Sequence, residues 1–291
     1  MRGGGALVAV AALLVLLLVA GIHLTTSYDQ YSRYNVQWNG TSSFFALLEE
    51  KGVHEVRDPA DLAGYNDVSL LVIAPSGSPD PVRVAAWRAF LARNNTIILC
   101  DDFGDGDAML RALDASVRIL SGPVVSVDRE YGAAAAVAAY PVENASILLN
   151  VSAVLLDRPA ALEGGDPLLQ TSLLSWVDTD GNSSLDGDEQ MGRFIVCARE
   201  KIGGGEVIVV SDPGIFLNSM AGTGKDNRQF IENLLALRPG LLVDQEGSRT
   251  ATAGPVTGAI RWVKERPLLQ IGIVALFILA AACYFRKWNG K

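Results

Sequence analysis

The sequence predicts an α/β fold with a doubly wound, mostly parallel sheet, a β-rich insertion, and a transmembrane helix at each end of the chain. Three observations support this prediction. Short runs that are apolar on both faces, as in strands covered on two sides, alternate with amphipathic helical patterns. A central stretch holds short strand-like pieces between Gly and Pro turns. Two long uncharged apolar runs lie at the chain ends.

The terminal runs carry much of the apolar excess of a chain that is 49% hydrophobic and only 19% charged. They cover residues 6–22 and 268–285, and a helix of about 20 mostly apolar residues crosses a bilayer. We therefore expect membrane helices within 1–24 and 267–291, the second preceded by a linker at 244–266. The first run is longer than a typical signal-peptide core and no A-x-A site follows it, which favours an uncleaved anchor over a cleaved signal peptide.

Charge predicts a two-pass protein of the cell membrane with both termini cytoplasmic and the main domain, 25–243, outside the cell. All 32 acidic residues lie between 25 and 266, whereas both tails carry only basic side chains, which favour the cytoplasmic side. Three basic residues before the second helix act against this orientation. Five N-x-S/T sequons fit a glycosylated outer domain: Asn39, Asn94, Asn144, Asn150 and Asn182. The acidic balance excludes a nucleic-acid partner, which needs clustered Lys and Arg.

The outer domain shows helices and strands in alternation. Thr41 or Ser42 can cap a first helix that ends before Gly52. Further helices are predicted at 81–93, 108–113 and 227–237, and strands at 53–56, 68–74, 96–100 and 206–210. The stretch 115–200 is predicted to be the β-rich insertion.

Polar loops follow three of the predicted central strands, at 75–79, 101–107 and 211–218. In doubly wound sheets, ligands bind beyond the carboxyl ends of the strands. The candidate ligand or partner residues in these loops are Asp101, Asp102, Asp212 and Asn218. The alternative is that these side chains cap helices and shape turns, as Asp and Asn often do.

The segment 178–189 has the oxygen-ligand spacing of a calcium loop. Its candidate ligands are Asp178, Asp180, Asn182, Ser184 (through its carbonyl), Asp186 and Glu189, and Leu185 occupies the position that points into a core in such loops. Two features depart from the pattern: Ser183 stands where the turn favours Gly, and 194–198 resembles a strand rather than a helix. We expect a structural Ca²⁺ here, with a polar surface loop as the alternative.

The sequence contains no complete catalytic or nucleotide-binding motif. Gly222–Lys225 lacks the spacing of a phosphate loop and is followed by an acid, so no nucleotide is expected. His54 is the only imidazole outside the first anchor, and the chain contains no G-x-S-x-G or G-x-C-x-G elbow. The sequence suggests that its cysteines are packing residues and leaves a Cys100–Cys197 disulfide open.

Three segments carry a family resemblance: 34–42 (YNVQWNGTS), 176–182 (WVDTDGN) and 211–218 (SDPGIFLN), followed by Asp226-Asn227 and Phe230. They resemble an archaeal membrane-protein family known as a domain of unknown function (DUF4350), whose fold is similar to class I glutamine amidotransferases and so flavodoxin-like. The resemblance implies association with a MoxR-type AAA ATPase and a von Willebrand-like membrane protein. The amidotransferase Cys-His-Glu set has no counterpart in this sequence.

Two functions are therefore weighed. The first is a non-enzymatic binding or scaffold module, held outside the cell by two membrane helices, with membrane lipid and membrane proteins as partners. The second is a calcium-stabilised hydrolase or transferase of the cell envelope that uses Asp101, Asp102 or Asp212. The lack of a nucleophile-base pair favours the first, because carboxylates alone suffice mainly for glycoside chemistry.

Overall fold

A computed structural model of the chain describes residues 27–128, 133–220, 224–253 and 256–257. The predicted membrane helices within 1–24 and 267–291 lie outside the described residues, as does most of the linker beyond residue 253. Among the described residues, no helix combines the length and apolar character that a membrane crossing requires. The chain divides into two compact units, and the larger, Asp29–Thr252, is the domain described below.

Within the described residues, this domain contains four α-helices and twelve strands in one sheet. The helices are α1 (Ser42–Glu50), α2 (Pro81–Leu91), α3 (Gly106–Ala112) and α4 (Asn227–Leu235). The strands are β1 (His54–Val56), β2 (Val68–Ile73), β3 (Thr96–Cys100), β4 (Arg118–Ser126), β5 (Ala136–Pro141), β6 (Val154–Asp157), β7 (Ala160–Glu163), β8 (Asp166–Thr171), β9 (Ser175–Val177), β10 (Ile195–Ile202), β11 (Gly205–Val210) and β12 (Gly240–Asp244).

Five strands form a parallel section in the order β1-β12-β2-β3-β11. Strand residues of this section alternate between two cores, because successive side chains point to opposite faces. Leu71 and Ile73 pack with α1 and α4 on one face, whereas Leu70 and Val72 pack with α2 and α3 on the other. The predicted α/β class and helix coverage on both faces are confirmed.

The region predicted as a β-rich insertion forms the antiparallel part of the sheet. Strand β10 joins the two parts, because it pairs antiparallel with β11 on one side and with β8 on the other. The remaining strands extend from it as antiparallel pairs, β7 with β4, β4 with β9, and β5 with both β6 and β8. The β10–β11 hairpin needs only the residues 203 and 204 between its strands, as an antiparallel pair allows.

The segment 240–252 differs from the prediction. Strand β12 was not predicted, yet it lies between β1 and β2. The following residues, predicted to begin the linker, also belong to the domain: the Gln245 amide donates to the Val56 carbonyl at 2.8 Å, and Thr250 is fully buried. Tertiary hydrogen bonds to other strands hold this polar segment, so its own periodicity gives no sign of its burial.

Candidate functional site

The carboxyl ends of the neighbouring strands β3 and β11 bring two predicted candidates to one edge of the sheet. Cys100 and Val210, the last residues of β3 and β11, are register partners. Asp101 directly follows Cys100, and Asp212 lies two residues beyond Val210. Both carboxyl side chains are buried, with 1% and 0% exposure. The prediction that these acids lie together at the carboxyl edge therefore agrees with the strand order.

Asp101 is held by the loop that follows it. Its Oδ2 accepts a hydrogen bond from the Gly106 amide at 2.7 Å. A Cβ at Gly106 would lie 2.7 Å from the same oxygen, so the residue at this position must be Gly for the loop to close over the carboxyl group. Burial raises the pKa of Asp101 to about 7, against the lowering effect of the Gly106 hydrogen bond.

Asp212 caps the 3₁₀ turn Pro213–Phe216. Its Oδ1 accepts from the Gly214 amide at 2.6 Å, and its Oδ2 accepts from the Asp157 amide at 2.7 Å. Burial raises the pKa of Asp212 to about 8, and the charge of Asp102 adds to the effect of burial. Both carboxyl oxygens thus bind backbone groups from two different parts of the chain.

Three residues that sequence reasoning missed complete the electrostatics of this edge: Tyr31, Asp157 and Arg249. Burial, reinforced by the charges of Asp102 and Asp212, raises the pKa of the Tyr31 phenol. The Arg249 guanidinium lies 5.1 Å from the centre of the Tyr31 ring, within cation–π range. They come from segments far apart in the chain, and no local motif marks them.

Asp102 and Asn218 have different surroundings. Asp102 is half-buried, its Oδ1 accepts from the Phe103 amide at 2.6 Å, and burial raises its pKa. The Asn218 side chain donates to the Gln37 carbonyl at 2.7 Å and accepts from the Ser43 amide at 3.0 Å. Asn218 therefore fastens the segment 35–43 to the segment 211–218 that follows β11. These hydrogen bonds join two of the sequence segments that carry the family resemblance.

The loop 178–189 brings three acidic side chains together. Ligand oxygens of Asp178, Asp180 and Glu189 lie within 4.8 Å of one another. Asp178 is buried and accepts from the Gly181 and Ser183 amides at 2.8 and 3.0 Å. Hydrogen bonds from the Thr179 and Asp186 amides lower the pKa of Glu189. The carboxylates thus converge, and Glu189 is held in its charged form.

The other candidate ligands are linked to this group by hydrogen bonds. The Asn182 amide nitrogen donates to Asp180 and Asp186, at 2.7 Å in each case, and its oxygen accepts from the Ser184 amide at 2.6 Å. Ser183 has φ of +60°, the left-handed conformation that favours Gly. The turn therefore forms with Ser183 at the position where calcium loops favour Gly. Leu185 is 43% exposed rather than in a core, and β10 follows the loop as the predicted strand.

The cysteines of the sheet are buried free thiols. Cys100 and Cys197 both pair in register with Val210, on the strands to either side of it. Two strand spacings separate their Cα atoms by about 9.6 Å, whereas a disulfide needs less than about 7 Å. Burial raises the pKa of both thiols. This geometry argues against a disulfide between them.

The predicted glycosylation sequons differ in accessibility. Asn39 is half-buried, and its side-chain oxygen accepts from Asn35 at 3.0 Å. The other four are exposed, as a glycan would require: Asn94, Asn144, Asn150 and Asn182.

His54 lies on β1, where its ring is 6.4 Å from that of Tyr65, away from the carboxyl edge.

Comparisons with known proteins place the chain in a family. The family model described as a domain of unknown function (DUF4350) matches residues 33–235, so the chain belongs to this family. No curated protein matches it. Among solved structures, the mmIFT52 N-terminal domain has a TM-score of 0.51 at 13% identity, covering 68% of this chain and 89% of that domain. That similarity concerns the fold alone.

Two further solved structures are more distant. A cytoplasmic protein from Salmonella typhimurium LT2 has a TM-score of 0.38 at 10% identity, covering 68% of this chain and 86% of its own. A β-galactosidase from Bacillus circulans sp. alkalophilus has a TM-score of 0.35 at 12% identity, covering 58% and 23%. Neither similarity is strong enough to support a conclusion about this chain.

Proposed function

We propose that this DUF4350 chain is an archaeal membrane protein whose outer domain, amidotransferase-like in fold, acts as a non-enzymatic binding or scaffold module. One observation carries the proposal: the strand-end side chains hold the domain's own backbone. Asp101 caps Gly106, Asp212 bridges Gly214 and Asp157, and Asn218 fastens the segment 35–43. A catalytic group must be able to reach substrate, whereas these oxygens already serve as caps.

The chain ends of the domain support membrane anchoring. The Arg33 amide donates to the Thr250 carbonyl at 3.0 Å, and the Ser32 hydroxyl donates to the Thr252 carbonyl at 2.5 Å. The chain therefore enters and leaves the domain at one place. Two membrane helices that follow in sequence from neighbouring ends can hold such a domain on one side of a bilayer, with both termini cytoplasmic.

The expected partners are membrane proteins, among them a MoxR-type AAA ATPase and a von Willebrand-like protein, as the family resemblance suggests. The test is chemical crosslinking of the full chain in native membranes, followed by identification of the crosslinked proteins. Stoichiometric recovery of an ATPase or von Willebrand-like protein supports the module. Recovery of the chain with itself alone would count against a scaffold for other proteins.

The enzymatic alternative rests on a different observation. Burial raises the pKa of Asp101 to about 7 and of Asp212 to about 8, in the range of a general acid near neutral pH. The purified full chain would be assayed for turnover of envelope glycan and peptide, with Asp101→Asn and Asp212→Asn. The control is Asp166→Asn, at an exposed carboxylate elsewhere. Turnover that only the two strand-end variants lose would replace the scaffold proposal with an enzyme.

We also propose that the loop 178–189 binds one structural Ca²⁺. The convergence of Asp178, Asp180 and Glu189 supports this, since Ca²⁺ prefers several carboxylate oxygens in one loop. The test is titration calorimetry of the full chain with Ca²⁺ and Mg²⁺, using Asp180→Asn and Glu189→Gln. The matched control is Asp188→Asn, an exposed acid of the same loop outside the ligand set. Binding that survives in Glu189→Gln, or is lost in the control, would contradict the proposed ligands.

A further inference from the structure

We infer that the carboxyl edge of the parallel section faces the bilayer, and that the segment 35–40 places Trp38 and Val36 at the lipid headgroups. This inference rests on the membrane anchoring proposed above and adds an orientation and a lipid-contacting surface. It follows from three features of the domain: where its ends lie, how rigidly the segment is held, and which side chains that edge exposes.

Both ends of the domain lie at the carboxyl edge. The Arg249 amide donates at 2.9 Å to the carbonyl of Ala74, the residue that follows β2. The Ser248 hydroxyl donates at 2.6 Å to the carbonyl of Ile73, the last residue of β2. Arg33 is hydrogen-bonded to this same segment through Thr250. The polypeptide therefore enters and leaves the domain beside the strand ends.

The segment 35–40 is fixed at this edge by backbone hydrogen bonds. The Asn39 carbonyl accepts from the Tyr31 amide at 2.9 Å, and the Trp38 carbonyl accepts from the Ser219 amide at 3.1 Å. A Cβ at Gly40 would lie 1.8 Å from the Asn35 carbonyl oxygen, so only Gly allows this tight turn. The direction of Trp38 is thus set by a well-bonded turn.

Large apolar side chains are exposed on this edge. Trp38 is 68% exposed, Val36 65%, and Phe103, in the loop after β3, 49%. Exposing apolar area to water is unfavourable, whereas Trp is enriched where a protein meets the headgroup layer. Two exposed apolar residues on one rigid turn fit that layer.

The length of the connecting chain favours lipid over a protein as the occupant. The first predicted membrane helix ends at residue 24, five residues before Asp29. Five residues span at most about 18 Å when fully extended. Tyr31 follows two residues later and is hydrogen-bonded to Asn39, so the segment 35–40 is within a short reach of the membrane surface.

The experiment uses the full chain with Trp262→Phe and Trp288→Phe, reconstituted in phosphatidylcholine vesicles. The remaining tryptophans are then Trp38 and the buried Trp87 and Trp176, at 3% and 1% exposure. Quenching by lipids brominated near the headgroup, and by iodide in the water, is compared with and without Trp38→Phe, so that the difference reports Trp38. The control is Lys201→Trp in the Trp38→Phe background, at an exposed site near the hairpin that begins β11, on the opposite edge.

We expect brominated lipid to reduce the Trp38 emission about twofold and the vesicles to protect it from iodide, as for an interfacial Trp. The control tryptophan should stay open to iodide and unaffected by brominated lipid. Trp38 that is accessible to iodide and not quenched by lipid would overturn the inference, and protection without lipid quenching would instead indicate contact between copies of the chain. Carbonate extraction is measured in parallel: release of the chain from the vesicles overturns the anchoring proposal and this inference together, whereas the other outcomes leave anchoring intact.

Discussion

The domain contains two groups of acidic side chains that differ in nearly every physical respect. At the carboxyl edge, Asp101 and Asp212 are buried and burial raises their pKa values. In the loop 178–189, Asp180 and Glu189 lie toward the surface, and backbone hydrogen bonds lower the pKa of Glu189. Both groups consist of carboxyl side chains, and their different pKa shifts come from their different surroundings.

Burial and the direction of the pKa shift distinguish acidic residues that support the fold from acidic residues that can bind a cation. Burial favours the neutral form of a carboxyl group, whereas the hydrogen bonds that Asp101 and Asp212 accept from backbone amides favour the charged form, and burial is the larger effect. The loop 178–189 instead brings carboxylate oxygens of the buried Asp178 and of the more exposed Asp180 and Glu189 within 4.8 Å of one another.

The largest effect is expected from Asp212→Ala. It would leave the Gly214 and Asp157 amides without their acceptor, at a cost of about 1–3 kcal/mol for each buried group. We expect a loss of about 3 kcal/mol in the free energy of unfolding, measured by urea denaturation of the full chain in detergent without Ca²⁺. The matched change Asp180→Ala, at an exposed position, should cost less than about 0.5 kcal/mol. Equal losses would remove the distinction between the two groups.

The next effect concerns Ca²⁺. A ligand that binds only the folded state at 100 times its Kd stabilises that state by about 2.7 kcal/mol. We expect a rise of this size in the unfolding free energy of the full chain with Ca²⁺. Glu189→Gln should abolish the rise, and Asp101→Asn should preserve it. A rise that depends on Asp101 would mean that the cation binds at the carboxyl edge.

A third effect is the dependence of stability on pH. The pKa of Asp212 is raised to about 8 in the folded domain, so the folded state binds more protons than the unfolded state between about pH 4 and 8. Stability from this group is present at low pH and is lost as pH rises to about 8.

Unfolding free energies at pH 5 and pH 8 measure this loss; Asp212→Asn should reduce the difference, and adding Asp101→Asn should reduce it further, because the pKa of Asp101 is also raised, to about 7. Glu189 behaves oppositely: its pKa is lowered, so its contribution is lost only as pH falls through that lowered pKa. Glu189→Gln should therefore leave the change between pH 5 and pH 8 as it is. A slope that is unchanged when both Asp101 and Asp212 are replaced by Asn would assign the titration to another group.

The smallest effect is expected from Ser183→Gly. Ser183 has φ of +60°, a conformation that costs a residue with a side chain more than it costs Gly. We expect a gain of up to about 1 kcal/mol in unfolding free energy, seen as a small rise in Tm. Ser184→Gly, outside the left-handed region, should give no gain. If both substitutions gave the same gain in unfolding free energy, the gain would come from the conformational entropy of the loop and not from the φ angle of Ser183.

The sequence predicted the central strands well because each carries its own signal. The runs 96–100 and 206–210 are apolar on both faces, and both are buried parallel strands in the structure. The acids that follow them lie at the carboxyl edge as expected. Strand β12 gave a weaker signal, since only its three central residues are apolar and it follows a helix and a turn.

The rest of the carboxyl edge depends on residues that are distant in sequence. Arg83 forms a buried ion pair with Asp244 at 2.6 Å, although 161 residues separate them. Tyr31 and Arg249, which are also far apart in the sequence, form a cation–π contact. No spacing rule connects such pairs, so neither the packing of 245–252 nor the neighbours of Asp101 and Asp212 were predicted.

The α/β class, the polar loops after the central strands and the carboxylate spacing of the loop 178–189 could be predicted from the sequence alone. These features are local: each depends on the periodicity or spacing of a short stretch of chain. The tertiary structure decided which acids are buried, which backbone amides they cap, and that the two ends of the domain meet beside Trp38. Burial and electrostatics are set by neighbours from all parts of the chain, and only folding brings those neighbours together.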